Sequence, residues 1–240
     1  MSKRIWYISQ LADPEHYDMS IFDECPGGDN EIEWIKIQLR QLNLLDEIDF
    51  KGVQIERGDN LPEIEDVDAA FLGGSFHSVH DKFDWQHDLQ SWLGRYREAG
   101  KPLFGICGGH QQMSTFLGAT VGSIENGPMA SSLKINLTDT GQDHFLFDDI
   151  PADELKFHFG NYEHVEAVPE GATVLATRPE MPAMAIDYGN HWYSTQFHPE
   201  ALKDLFARSW AGTHPEYCSN YIELPHAPKM LKNFIDRYTG

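Results

Sequence analysis

The 240-residue sequence predicts an α/β fold, and three observations predict it. The apolar run Lys3 to Ser9 reads as a first central strand. From Glu31 onwards, Ile32, Ile35, Leu39, Leu42 and Leu45 recur at helical spacing, which gives a helix with one face to lay on a sheet. The stretch Pro102 to Gln111, Pro-Leu-Phe-Gly-Ile-Cys-Gly-Gly-His-Gln, passes from a short buried strand through a glycine-flanked cysteine into a helix-forming segment, Gln111 to Leu117. With 41% hydrophobic residues the chain is long enough for one sizeable core and does not demand a second, so one domain over 1–240 is expected.

Taken in order, the loop Gln10 to Asn30 after the first strand is rich in Asp, Pro and Gly and longer than most connections, which suggests a functional rim or lid. Val53 to Glu56 and Val67 to Leu72 read as two further strands, the second closed by Gly73 and Gly74. Asp84 to Arg97 is amphipathic, with Trp85, Leu89, Trp92 and Tyr96 on one face. Beyond the cysteine come short β-rich runs separated by Gly, Pro and Asp turns: Ala119 to Ile124, Leu133 to Leu137, Leu155 to Phe159, Glu163 to Ala167, Thr173 to Thr177, Ala183 to Asp187 and Trp192 to Thr195. A last helix is expected from Ala227 to Tyr238, packed through Met230, Leu231, Phe234 and Tyr238.

Acidic side chains outnumber basic ones 38 to 18, and the formal charge of −20 argues against nucleic acid or an anionic membrane surface as a partner. The apolar run after Lys3 and Arg4 is too brief for a signal peptide and no spanning segment follows, so a cytoplasmic setting is expected. Cys25, Cys107 and Cys218 are too few and too scattered for a disulfide framework or a zinc site. His77, His80, Asp81, Asp84, His87 and Asp88 crowd one segment without matching a metal signature; loop and cap roles suit them better, and no metal is expected. His77 or His80 could still line a pocket behind the Gly-Gly pair.

Two stretches carry chemistry. A strand–turn–helix elbow holds its central side chain exposed at the strand's carboxyl end, and the helix that follows aims free N–H groups and its positive dipole end at the sulfur of Cys107, favouring the nucleophilic thiolate. Far along the chain, Thr195-Gln196-Phe197-His198-Pro199-Glu200 supplies a histidine and a carboxylate two residues apart; in an extended chain they point to one face, and Pro199 keeps His198 out of the helical region. A nucleophile, a base and a group to orient the base are the parts of acyl transfer. A buried inert cysteine in a glycine-rich turn remains the alternative for the elbow alone.

Gly105-Ile106-Cys107-Gly108-Gly109-His110-Gln111 together with Gln196-Phe197-His198-Pro199-Glu200 resembles the class I glutamine amidotransferase domain. Phe71-Leu72-Gly73-Gly74-Ser75 resembles the family's Gly-Gly loop, with Ser75 where relatives often carry proline. The resemblance runs from about residue 3 to about residue 200 and takes in the last helix. It implies a three-layer sandwich around a central, mostly parallel sheet, the flavodoxin-like class I glutamine amidotransferase fold. It implies Cys107, His198 and Glu200 as catalytic residues, backbone oxyanion donors at Gly74 and Gly108, and Gln111 holding the γ-glutamyl part of the substrate. Asn161 falls where the family has a histidine, and His110 is expected as pocket wall or helix surface.

The chemistry so implied is hydrolysis of glutamine or a γ-glutamyl amide through a γ-glutamyl thioester, releasing ammonia or an amine, with no cofactor. Two other readings stand beside it: a glutaminase subunit feeding ammonia to a separate synthase, and a catalytically silent binding module of the same fold. The segment 203–225, between Glu200 and the last helix, reads as an insertion rich in aromatics, among them Phe206, Trp210, Tyr217 and Tyr221. It serves either as local core or dimer contact, or as a pocket wall for an apolar amine.

Overall fold

The computed structural model describes residues 2–13 and 15–239. Its first half alternates strand and helix: β1 (Lys3–Ser9), α1 (Glu31–Gln41), β2 (Ile48–Gln54), β3 (Ala69–Leu72), α2 (Asp84–Glu98), β4 (Leu103–Ile106) and α3 (Gly108–Phe116). The second half is mostly strand: β5 (Val121–Ser123), β6 (Met129–Lys134), β7 (Asn136–Leu137), the single turn α4 (Asp139–Gln142), β8 (Lys156–Asn161), β9 (Glu163–Val165), β10 (Thr173–Arg178), β11 (Met181–Asp187) and β12 (Trp192–Thr195). Helices α5 (Lys203–Arg208) and α6 (Lys229–Thr239) follow.

Eight strands form one sheet in the order β2-β1-β3-β4-β12-β11-β10-β7. The run from β2 to β12 is parallel, and β11, β10 and β7 extend it antiparallel. Successive side chains of a strand point to opposite faces, and the sequence uses both faces. Ile5, Tyr7, Phe71, Phe104 and Ile106 pack on α1 and α6, whereas Ile8, Ala70, Leu72 and Leu103 pack on α2 and on Met113 of α3. The result is helices over both faces of a central sheet. Phe234 of α6 lies 5.0 Å from Phe71 and 5.5 Å from Phe104, ring to ring, so the last helix closes the core that β1, β3 and β4 begin. Each such buried aromatic contributes about 1.5–3 kcal/mol.

Several expectations shift in register. The second strand is β2, earlier than Val53 to Glu56, because Ile55–Arg57 turns as a 3₁₀ helix that ends on Gly58 at φ 92°. Helix α3 starts at Gly108 rather than Gln111. The run Leu133 to Leu137 splits between the end of β6 and β7, and Met129–Lys134 pairs with all of β8 to make a two-stranded ribbon. In the segment 203–225, α5 leads into a 3₁₀ turn (Pro215–Asn220), and Ala207, Trp210 and Tyr221 pack on Ala130 of the ribbon. Trp210 Nε1 donates to the Tyr221 hydroxyl (2.7 Å), which donates to the Phe159 carbonyl (2.8 Å). Cys25, Cys107 and Cys218 are free thiols. Among the described residues, no helix is long and apolar enough to cross a membrane.

Candidate active site

Cys107 follows β4 directly and caps the N-terminus of α3 at φ 50°, ψ −101°, a conformation that costs a non-glycine residue about 1–3 kcal/mol. The neighbouring glycines make this turn possible by letting backbones approach. A Cβ on Gly109 would stand 2.2 Å from the Leu72 carbonyl oxygen, and one on Gly105 would stand 2.5 Å from the Met113 sulfur. The thiol is thus presented on a helix start wedged against β3 and β4.

The separation of 91 residues between Cys107 and His198 is closed by strand order. β12 lies parallel beside β4 with Thr195 opposite Ile106, and the Cys107 N–H donates to the Thr195 carbonyl (2.8 Å). The chain leaving β12 therefore runs past the elbow. Gln196 donates from Nε2 to the Cys107 sulfur (3.5 Å), and three residues beyond β12 His198 donates its backbone N–H to the His158 carbonyl (2.9 Å). His198 Nδ1 is 2.6 Å from Glu200 Oε1, with Pro199 between them, and both side chains are buried. Burial works against charge on the His198 ring, but Glu200 and the Cys107 sulfur outweigh it and raise its pKa well above the ordinary histidine range. The Phe206 ring, 4.5 Å away, covers it.

Gly73 and Gly74 close β3 beside the elbow. The Gly73 carbonyl accepts from the Gly109 N–H (3.0 Å) and from Gln10 Nε2 (2.8 Å), which fixes the plane of the peptide it shares with Gly74. That trans peptide points the Gly74 N–H the opposite way, and there it donates to Glu31 Oε1 (3.2 Å). Gly108 is the first residue of α3, and a Cβ on it would stand 2.8 Å from Ser75. Gln111 donates from Nε2 to the Glu163 carbonyl (2.9 Å) and to Gln196 Oε1 (3.2 Å).

Two cavities meet at Cys107. The larger, about 490 Å³, is lined by Gln111, Asn161 and Glu163 and by the aromatic rings of Tyr17, Phe76 and Trp210. The smaller, about 70 Å³, is lined by Glu31, Gly74, His198, Glu200 and apolar side chains that include Phe22 and Leu205. The loop between β1 and α1 borders both. His77 lines the larger cavity, whereas the ring of His80 bonds the Val121 carbonyl (3.0 Å). His110 is neither wall nor surface: it is fully buried, its Nδ1 lies 2.7 Å from Ser194 Oγ, and burial lowers its pKa to about 3, so the ring is neutral. Among the described residues no three His, Cys, Asp or Glu side chains gather as a metal-binding group.

The sequence reading missed Gln196 and Glu31. Gln196 stands inside the Gln-Phe-His-Pro-Glu stretch, one residue past β12. Glu31 has the pattern of an ordinary acidic first-turn residue of a capped helix, and in the fold Gly73, Gly74 and Tyr7 close over its carboxyl. Burial, with the Glu200 charge beside it, raises the Glu31 pKa to about 8.

A mostly parallel sheet carries a strained cysteine elbow and a His–Glu pair at the ends of the adjacent strands β4 and β12. The chain belongs to the class-I glutamine amidotransferase family, whose model matches residues 29–210. It is 30% identical over 165 residues to the glutamine-hydrolyzing GMP synthase of Bacillus velezensis (68% of this chain, 26% of that one). It is 27% identical over 222 residues to that of Brucella melitensis (89% and 36%). The chain spans about a quarter to a third of the length of the curated relatives it matches. Among solved structures, a glutamine amidotransferase from Thermotoga maritima superposes with a TM-score of 0.74 at 18% identity, covering 100% of this chain and 99% of that one. Another, from Methylobacillus flagellatus, gives 0.71 at 16% identity, covering 99% and 93%. These last two likenesses speak for the fold.

Proposed function

We propose that this chain hydrolyses the side-chain amide of glutamine, or the γ-amide of a γ-glutamyl compound, through a γ-glutamyl thioester on Cys107. The observation that carries the reading is the convergence, at the carboxyl ends of the adjacent strands β4 and β12, of a strained cysteine and a histidine whose Nδ1 sits 2.6 Å from a buried carboxylate. The Cys107 sulfur attacks the amide carbon. Backbone N–H groups at Gly108 and Gly74 face the developing oxyanion, the latter once the substrate has displaced Glu31 from it. His198, held protonated by Glu200, gives its Nε2 proton to the departing nitrogen and afterwards takes one from the water that cleaves the thioester. Gln111, tied to Gln196 and Glu163 on the wall of the larger cavity, holds the γ-glutamyl arm.

Release of ammonia from glutamine, and of amine from a set of γ-glutamyl amides, tests the reading directly. Cys107→Ala lowers kcat by at least about 10⁴-fold, and the wild-type chain yields a glutamyl adduct on Cys107 by mass spectrometry. Turnover that survives Cys107→Ala overturns it. A second reading rests on the relatives: glutamine-hydrolyzing GMP synthases are about three to four times longer than the part matched here, so the chain could pass its ammonia to a separate synthase. In that case glutamine hydrolysis is slow alone and rises strongly when the synthase is added. A catalytically silent module would leave Cys107 no more reactive towards a glutamine-like electrophile than in the denatured chain.

A further inference from the structure

The small cavity on the far side of Cys107 holds a group that the hydrolytic scheme does not use. Its wall is mostly apolar, with Ser75 and Ser209 at the side shared with the larger cavity, and its ionisable groups besides Cys107 are the catalytic pair and Glu31, which is only 5% exposed although it stands in the first turn of α1. One carboxylate oxygen of Glu31 takes the Gly74 N–H; the other, Oε2, has no hydrogen-bond partner, with the Tyr7 hydroxyl beside it. A buried carboxyl left so incompletely satisfied is costly to keep, and it is aimed at the edge of the reaction centre: a Cβ on Gly74 would lie 3.0 Å from His198 Cε1 and 3.7 Å from Glu31 Oε1.

We propose that this cavity is the subsite for the leaving amine, and that Glu31 receives the departing nitrogen there as ammonium or a short primary alkylammonium. The inference rests on the hydrolase reading above and deepens it. Geometry assigns the two cavities opposite ends of the substrate. With the γ-glutamyl arm on the Gln111 side, the nitrogen lies across the scissile carbon, facing His198. Oxyanion and leaving nitrogen are bonded to the same carbon, so a group within hydrogen-bond reach of the Gly74 N–H is also within reach of the nitrogen. When the oxyanion takes that N–H, Glu31 Oε1 is freed beside the nitrogen.

The step balances. The C–N bond breaks, its electron pair staying on nitrogen, and the oxyanion re-forms the carbonyl of the thioester. His198 Nε2 gives its proton to that nitrogen, which leaves as ammonia. The Glu31 carboxyl, kept protonated by its burial, then passes its proton to the ammonia, leaving an ammonium–carboxylate pair; Glu31 regains a proton from solvent when the ammonium departs. Size sets the amine. A cavity of about 150 Å³ holds a benzene ring, and about 70 Å³ is less than half of that.

The test compares leaving groups in the full chain, wild type and Glu31→Gln, using glutamine and the γ-methyl ester of glutamate. The ester forms the same thioester but expels methanol, which carries no ammonium charge. The glutamine side chain keeps the acceptor for Gly74 and loses the carboxyl. Glu31→Gln lowers kcat/KM for glutamine by about 10- to 100-fold and that for the ester by less than about threefold. Wild type turns over γ-glutamyl methylamide within about tenfold of glutamine and γ-glutamyl anilide at least about 100-fold more slowly. Equal losses on amide and ester, or no loss on either, overturn the role of Glu31, and anilide turnover comparable with glutamine overturns the small subsite. A wild-type chain inert to both amide and ester sinks the hydrolase reading instead, and this one with it. Glu31→Asp, which shortens the reach and keeps the acid, restores part of the amide rate if the carboxyl acts on nitrogen.

Discussion

The two regions that border Cys107 are built by different means. On one side, the carboxyl ends of β3, β4 and β12 meet through backbone: Gly73 bonded to Gly109, Cys107 to Thr195, with glycines packed too closely to carry a side chain. On the other, the ribbon of β6 and β8 and the segment after Glu200 meet through large side chains, with Phe206 over His198 and Trp210 and Tyr221 locked under Phe159. Backbone contacts leave no slack, so the first region is built to hold atoms in place; side-chain walls change shape with one substitution, so the second is the part a single substitution can reshape.

Gly109→Ala breaks that contrast most severely if it is wrong. A methyl group 2.2 Å from a carbonyl oxygen forces α3 off the sheet, with an expected loss of about 3 kcal/mol or more in stability and loss of activity together. Denaturant unfolding and circular dichroism measure it; a variant with wild-type stability would show that the elbow has room to shift. Trp210→Ala sharpens the same contrast from the other side. It removes a buried ring and the Nε1 donor to the Tyr221 hydroxyl, and about 3 kcal/mol of stability is expected to go with it, or several degrees in Tm. Because Trp210 lines only the larger cavity, KM is expected to rise while kcat stays within about threefold; a collapse of kcat would mean that this wall also places the reacting groups.

The same contrast explains what the sequence made legible. The elbow and the His-Pro-Glu stretch are local patterns in which glycines, a proline and a two-residue spacing state their own geometry, and the structure places Cys107, His198 and Glu200 together. Only the end of β6 is legible in the run Leu133 to Leu137, because Ala130, Ser131 and Ser132 carry little strand propensity; pairing with β8 makes the rest of the strand. Helix α3 was begun three residues late because Gly108 and Gly109 read as breakers, whereas here their lack of side chains is what lets the helix start against Leu72. Glu31 obeys the rule for an acidic first turn behind Asn30, whose side chain accepts from the Ile32 N–H, and so gave no sign of being buried. Its setting depends on the loop after β3, more than forty residues away.

Glu31 also yields the mildest and most informative prediction. Its carboxyl has a pKa near 8 in the folded chain against an ordinary 4.5, from burial first and then from the negative charge of Glu200, with the nearby Tyr7 hydroxyl opposing the rise and Glu56 adding to it. Between those values the folded state holds a proton that the unfolded state has released, so the stability of the fold falls as pH rises from about 4.5 to about 8 and levels off above. Glu56, raised to about 7 by burial, contributes a fall of the same sign over a narrower range. Glu31→Gln removes the first contribution and leaves the second, so the variant is expected to exceed wild type by roughly 4 kcal/mol at pH 8 and to come close to it near pH 4.5. His198 works in the same direction in both proteins: its raised folded pKa gives stability that is complete below the ordinary histidine value and is lost as pH climbs through the folded one. Urea unfolding of the two proteins at pH 5 and pH 8 isolates the Glu31 share. A gain at pH 8 joined to a selective loss of amide turnover would mark Glu31 as a residue kept for chemistry at a cost to the fold, whereas an equal gap at both pH values would mean that it stays ionised in place and that the small cavity is more polar than its walls suggest.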